Sequence, residues 1–456
     1  MTDHGALQAA YATARDQLLA ERNARGHWEG ELASSPLATA TAVSALVLAH
    51  GEPHHHAPGD SGLAIQCDLT NPVIDSLHWL AAEQNQDGGW GDTDRSLSNI
   101  STTMLVRAAF QLTGVPARYA GLVDRADQYI RKHGGAAAVR RRYGRDKTFA
   151  APILTNCALA GLVPWRQVAP LPFELACLPQ SWYHRVRLPV VSYAIPALVA
   201  IGQAKFHHDP PHNPMTRAIR RATLERSREV LSRMQPASGG YLEAVPLTSF
   251  VVMSLAGIGE SGHPVVARGV EFLLDSVRDD GSWPIDTNLA TWNTTQAIDA
   301  LAAGNCEDWR DVRTLEWLLG CQHRTHHPFT GAAPGGWAWT DRTGGVPDAD
   351  DTSGAILALL KWPRRRVQTA VDAGVDWLLG LQNRDGGWPT FCRGWGTLPF
   401  DRSATDITAH ALRALRRWQT DDAGESSHRS QRVQQAIGRG VRFLENLQRA
   451  DGSWIP

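Results

Sequence analysis

The apolar positions of the chain fall into two kinds of run. The first is amphipathic and ends in a Leu-Leu or Phe-Leu pair: GVEFLLDSV (269–277), TLEWLLGCQ (314–322), GVDWLLGLQ (374–382) and GVRFLENLQ (440–448). The second is rich in Ala and Leu: TWNTTQAIDALAA (291–303), DTSGAILALL (351–360) and DITAHALRAL (406–415). Both kinds carry helical spacing, and period-two alternation is absent over any useful length, so the pattern predicts helices and no sheet.

A Gly-rich phrase separates the two kinds of run. Gln84-Asn85-Gln86-Asp87-Gly88-Gly89-Trp90 returns as Gln382-Asn383-Arg384-Asp385-Gly386-Gly387-Trp388 and as Gln448-Arg449-Ala450-Asp451-Gly452-Ser453-Trp454. Weaker copies are Gly26-His27-Trp28, QPASGGY (235–241), Asp280-Gly281-Ser282-Trp283 and Gly335-Gly336-Trp337. The repeating unit is helix, turn, helix, with most copies roughly 40 to 70 residues apart. Such a unit cannot bury its own apolar face, so copies must stack. The predicted fold is all-α, a toroid or barrel of paired helices. Asp-Gly is expected to end the first helix, the Trp to pack across to the neighbouring unit, and the Gln amide to serve an exposed helix end.

Between residues 30 and 258 the repeats weaken while the helical character persists. Residues 51–62, with His54, His55 and His56, read as a polar loop rather than a metal site. Arg140-Arg141-Arg142, with Arg145 and Lys147, reads as a solvated helix end, with a phosphate contact as the lesser option. Residues 203–214, with His207, His208 and His212, read as a linker.

Composition narrows the classes. A length of 456 residues is enough for two or three domains, and a formal charge of -1 offers no global field for nucleic acid. Six cysteines (Cys67, Cys157, Cys177, Cys306, Cys321, Cys392) stand in no CxxC or zinc-finger spacing, which fits buried thiols in a reducing compartment. Residues 1–25 carry no secretory h-region, and the longest apolar stretch, 188–202, contains two prolines and is too short to span a bilayer. The expectation is a soluble or peripheral protein. Trp is over-represented, 17 against seven Tyr, and the repeated turns account for part of that.

One stretch carries chemistry. Val346-Pro347-Asp348-Ala349-Asp350-Asp351-Thr352-Ser353-Gly354 sets three carboxyls within four residues at the mouth of a predicted helix, just after Trp337 and Trp339. Like charges this close cannot all ionise comfortably, so at least one carboxyl should hold its proton at neutral pH. A retained carboxyl proton among aromatic rings suggests a Brønsted acid; an Asp-rich helix cap facing solvent is the plainer alternative.

The QxxDGGW turns, the PDADDTS acids, and Phe391-Cys392 leading to Asp406-Ile407-Thr408-Ala409-His410 together resemble squalene–hopene cyclases and other class II terpene cyclases. The resemblance runs from Gly26-His27-Trp28-Glu29-Gly30-Glu31-Leu32 through Leu171-Pro172-Phe173-Glu174-Leu175 to Trp454. It implies two α/α barrels, one inserted in the other: a catalytic barrel from residues 1–30 and 263–456, and an inserted barrel of 31–262. It also implies that Asp350 is the proton donor, flanked by Asp348 and Asp351, and that His410 hydrogen-bonds it. Squalene cyclases continue past the point where this chain reaches Trp454-Ile455-Pro456. The expectation is therefore a truncated barrel, the alternative being one that closes with fewer helices.

Protonating an alkene demands a sharpened acid and a wall that tolerates a carbocation. A neutral Asp350 would be kept so by its neighbours' charge. It would be made a stronger acid by His410 as imidazolium, itself held charged by Asp406 at i, i+4. Trp, Phe and Tyr faces stabilise a cation by about 0.5–2 kcal/mol each without attacking it. Candidate wall residues are Trp292, Trp337, Trp339 and, in the inserted barrel, Tyr193. Trp90, Trp388 and Trp454 are assigned to turns, and Trp395 to a loop.

The predicted activity is protonation-initiated cyclisation of a linear polyprenyl chain, squalene-like or shorter, with no cofactor. The loop 393–402 differs from its acidic, proline-rich counterpart in squalene cyclases. This keeps open a prenyl diphosphate, with Arg393, Arg402 and possible Mg²⁺ at its head, or a prenylated aromatic. A protein prenyltransferase β-subunit lacks its Asp-x-Cys and His zinc ligands here. A non-catalytic helical scaffold would not need the acids plus a remote His. The partner is an apolar isoprenoid rather than nucleic acid, with oligomeric state open. By resemblance the location is cytoplasmic or peripheral on the inner membrane face.

Overall fold

The computed structural model describes residues 4–51, 70–114, 119–144, 149–304, 307–421 and 428–454. His54–His56, Arg145, Lys147, Cys67 and Cys306 lie outside these residues. The described helices, in chain order, are α1 (His4–Ala20), α2 (Pro36–His50), α3 (Thr70–Ala82), α4 (Ile100–Leu112), α5 (Ala120–His133) and α6 (Gly135–Tyr143). Next come α7 (Ala150–Leu159), α8 (Gln180–Arg185), α9 (Val190–His208), α10 (Pro214–Met234), α11 (Val245–Ala256) and α12 (Pro264–Asp275). The last six are α13 (Ala290–Ala303), α14 (Val312–Gly320), α15 (Ala349–Leu359), α16 (Arg364–Leu381), α17 (Thr405–Asp421) and α18 (His428–Leu447). Extended pairing among the described residues is limited to isolated bridges such as Trp337 with Asp348.

Two compact units result, one of Met1–Gly30, Gln180–Tyr193 and Asn288–Pro456, the other of Glu31–Pro179 and Ala194–Thr287. In the second, α2, α4, α7 and α11 pack in a closed ring, with α3, α5 and α12 against its outer side. The inner helices α2 and α11 are buried almost all round, whereas α12 buries one face through Val265, Val266, Val270, Phe272 and Leu273. That division is what a helix apolar on every side and a striped one each require. In the first unit α13, α15 and α17 stand side by side, backed by α16 and α18.

The Gly-rich turns join outer helix to inner helix by one recurring set of bonds. The turn glycines Gly26, Gly88, Gly239, Gly281, Gly335, Gly386 and Gly452 all sit at positive φ, which a side chain would strain. The Trp amide donates to a Thr hydroxyl on an inner helix, at 2.9–3.0 Å in every case. That helix is the next one in the chain for Trp90 to Thr103, Trp337 to Thr352 and Trp388 to Thr408, and one distant in the chain for Trp283 to Thr39 and Trp28 to Thr294. The indole N–H turns back to a Leu carbonyl ten residues earlier, as in Trp90 to Leu80 and Trp388 to Leu378. Gln382 Nε2 spans from the Gly386 carbonyl to that of Ala436 on α18. The Trp ring packs across to the next outer helix as expected, Trp337 against Gly374 of α16 and Trp388 against Gly440 of α18, while its indole N–H bonds the helix it has just left. The Gln reaches a carbonyl inside the next outer helix rather than at its end.

Two boundaries differ from expectation. The unit carrying the acids begins again at Asn288, not at 263, because α12 packs on α11 and α2 and its turn ends on Thr39 of α2. The expected linker at 203–214 is mostly helix: α9 runs to His208, with Gln203 and Lys205 buried. Arg140–Arg142 form the exposed last turn of α6.

Candidate active site

The acid motif opens α15. Asp348 is its N-cap, and Asp348 Oδ1 accepts the Asp351 amide at 2.8 Å. The start of α15 is fixed from both sides, by the Asp348 amide on the Trp337 carbonyl (3.0 Å) and the Ala349 amide on the Thr390 carbonyl (2.8 Å). Gly354 lets the flanking helices close in, since a Cβ there would lie 3.0 Å from Thr295 Oγ1 on α13 and 3.8 Å from His410 Cε1 on α17.

The three carboxyls have different surroundings. Asp348 and Asp351 are buried, and Asp350 keeps 36% of its side chain exposed. Burial, before any neighbouring charge, pushes Asp348 up to about 7 and Asp351 well above the usual carboxylate range; Asp350 adds repulsion to both. As two carboxylates, Asp348 Oδ2 and Asp351 Oδ1 would have no buried partner. Their side chains are within hydrogen-bonding reach of each other, so a proton between them satisfies both. Burial, rather than the crowding expected from spacing alone, is thus the main reason protons stay in this motif.

His410 Nδ1 lies 2.5 Å from Asp350 Oδ1, with 15% of the histidine side chain exposed. The expected support from Asp406 is absent. Asp406 lies in the first turn of α17, exposed, and its Oδ1 accepts the Ile407 amide at 2.9 Å. The i, i+4 spacing shares a helix face, but a carboxylate this near the helix start folds onto the free amides instead.

Four rings form a connected aromatic wall in the same unit. Phe391 meets Trp339 edge-on at 6.0 Å, Phe400 edge-on at 5.3 Å and Tyr193 at 5.3 Å. The Tyr193 hydroxyl donates to the Phe391 carbonyl at 3.4 Å. Burial raises the Tyr193 pKa, with smaller contributions in the same direction from Cys392 and Asp348. Tyr193 falls in the unit of the acids, not in the inserted one.

The other two Trp candidates separate. Trp337 is not a wall residue: it is fully buried, its indole donates to the Leu318 carbonyl at 2.8 Å, and its ring packs on Gly374 of α16. It is the turn Trp of its repeat. Trp292, 36% exposed on α13, is tied by its amide to the Trp339 carbonyl at 3.2 Å. The sequence reading also passes over Phe400 and Thr330, whose side chain hydrogen-bonds Tyr193. One signal was present. The Trp337 indole returns to a Leu nineteen positions back instead of ten, marking an insertion that contains Thr330.

Comparison with known proteins agrees with this arrangement. The squalene–hopene cyclase N-terminal domain matches residues 64–201 and the C-terminal domain residues 288–456, together more than half of the chain. The chain belongs to the squalene–hopene cyclase family. It is 26% identical to a terpene cyclase–glycosyl transferase fusion protein of Humicola fuscoatra, over 99% of this chain and 39% of that protein. It is 26% identical to the enfumafungin synthase of Hormonema carpetanum, over 86% of this chain and 35% of that one. A probable squalene–hopene cyclase of Sinorhizobium fredii is 24% identical over 99% of this chain and 75% of its own length. The chain thus spans a little over a third of the first two relatives.

Proposed function

We propose that this chain is a class II terpene cyclase, in which Asp350 protonates the terminal alkene of a linear polyprenyl substrate. The observation that carries the reading is the 2.5 Å contact of His410 Nδ1 with the half-exposed Asp350 Oδ1, beside a buried pair of proton-holding acids. The alkene π electrons form the new C–H bond, the O–H bond breaks toward Asp350, and the carboxylate left behind keeps the His410 hydrogen bond. The tertiary cation is then attacked by the next alkene, and loss of a proton or capture by water ends the cascade. Trp339, Phe391, Phe400 and Tyr193 supply inert faces for those cations, with Trp292 as a further candidate. Family members act without a metal cofactor, and this mechanism assigns none.

No helix among the described residues is long and apolar enough to cross a membrane. On this reading the protein works in the cytoplasm or peripherally on the inner membrane face. The test is incubation of wild type and Asp350→Asn with squalene, farnesyl and geranylgeranyl diphosphates and a farnesylated phenol, with products resolved by gas chromatography. Wild type should yield a cyclic skeleton from at least one of these. Asp350→Asn should yield none while keeping its thermal midpoint. Cyclic product from the variant would remove Asp350 as donor, and no conversion by wild type would favour a scaffold.

A further inference from the structure

A cleft of about 710 Å³ is lined by Arg187, Asn383, Arg384, Asp385, Arg393 and Trp395. Two of its segments are close in the chain to rings of the aromatic cluster. Arg393 follows Phe391 by two residues, a reach of at most about 7 Å, and Arg187 precedes Tyr193 by six. Three arginines and a single carboxylate line it, and Asp385 Oδ1 is already taken by the Gly387 amide (3.0 Å) and Ser403 Oγ (2.8 Å). Among the described residues none of the three arginines has an ion-pair partner; Arg393 has only a long bond to the Gly380 carbonyl, 3.4 Å.

The cleft is built in advance. Buried Asp401 accepts the Trp395 amide through Oδ2 (3.0 Å) and the Leu398 amide through Oδ1 (2.8 Å), fixing the loop that presents Arg393 and Trp395. Gly394 is required there, because a Cβ would stand 2.2 Å from Asp401 Oδ2. On the opposite side Arg187 is held at φ 59, a conformation costly for a non-glycine residue. Trp395 stays 63% exposed, an apolar face beside the charges.

A hydrocarbon has no use for three arginines without ion-pair partners in one cleft, whereas a phosphate takes guanidiniums in two-pronged bonds. We propose that this cleft binds the diphosphate group of a prenyl diphosphate substrate, its first isoprene unit lying on Trp395 and its far alkene at Asp350. The inference rests on the cyclase reading for its tail and on the arginines alone for its head.

The test is calorimetric titration of the full chain with inorganic pyrophosphate, for wild type, Asp350→Asn and the exposed pair Arg384→Gln/Arg393→Gln. Wild type and Asp350→Asn should bind alike, and the double variant about tenfold or more weaker, the fold-change expected from one lost charge-assisted bond. With geranylgeranyl diphosphate the double variant should raise KM by the same factor more than it lowers kcat, with partial rescue by Arg384→Lys/Arg393→Lys. Absent binding, or equal binding by the double variant, overturns the site. Arginine-dependent capture by phosphatidylglycerol vesicles without pyrophosphate binding also overturns it, assigning the cleft to lipid headgroups. Arginine-dependent pyrophosphate binding with no isoprenoid cyclised upholds the anion site and sinks the cyclase reading.

Discussion

Asp348, Asp350 and Asp351 differ by position on one helical turn. The cap residue and the residue three along turn inward, while Asp350 points to the accessible side and meets His410. That geometry separates the proposed donor from the buried pair, and it leaves Asp406 on its own helix start while His410 meets Asp350. His410→Gln should lower kcat by about 100-fold or more, the low end for a proton-transfer partner. Asp406→Asn should change kcat by less than about threefold, since its carboxylate only caps its own helix. Steady-state kinetics on both variants checks this; an equal loss in the two would restore Asp406 to the site.

At the scale of elements, five of the turns place their Trp amide on a Thr of an inner helix, so the acid-bearing α15 is held through Thr352 as well as through its cap. Thr352→Val keeps the shape but leaves the buried Trp337 N–H without an acceptor, a cost of about 1–3 kcal/mol. Urea unfolding should register that loss, and an unchanged midpoint would mean the turn bond is dispensable. The repeat itself was legible: Gly, Gln and Trp recur at fixed spacing because the local turn geometry demands them. Gly335-Gly336-Trp337 itself reads as a weak copy of the turn, yet Trp337 also stands as a wall candidate because it lies just ahead of the acids. It follows a loop nine residues longer than its sister turns, and its indole bond to Leu318 decides between turn and wall.

Across the whole molecule, the buried acids make stability depend on pH. Asp348 and Asp351 have folded pKa values raised above the unfolded value of about 3.9. The folded state therefore keeps protons that the unfolded state releases. The stability they contribute is full below about pH 4 and is lost as pH rises through 7 and beyond. Asp286 in the other unit, pushed up to about 6 by burial, acts with the same sign. The thermal midpoint should fall from pH 5 to pH 8, and Asp348→Asn/Asp351→Asn should flatten that fall. Parallel slopes for wild type and the double variant would show that the pair ionises freely.

By itself the sequence determined the helical repeat, the kinship, the acid motif and its remote histidine, because each is written in local spacing or in a fixed set of turn-forming residues. It did not determine where one unit gives way to the other, which of the acids are buried, or which aromatic rings meet. Those depend on burial and on segments far apart in the chain being brought together: Asp350 with His410, Tyr193 with Phe391, and the Arg187 segment lining one cleft with the loop that Asp401 holds. Packing decided them, since desolvation and side-chain reach exist only once the helices are stacked.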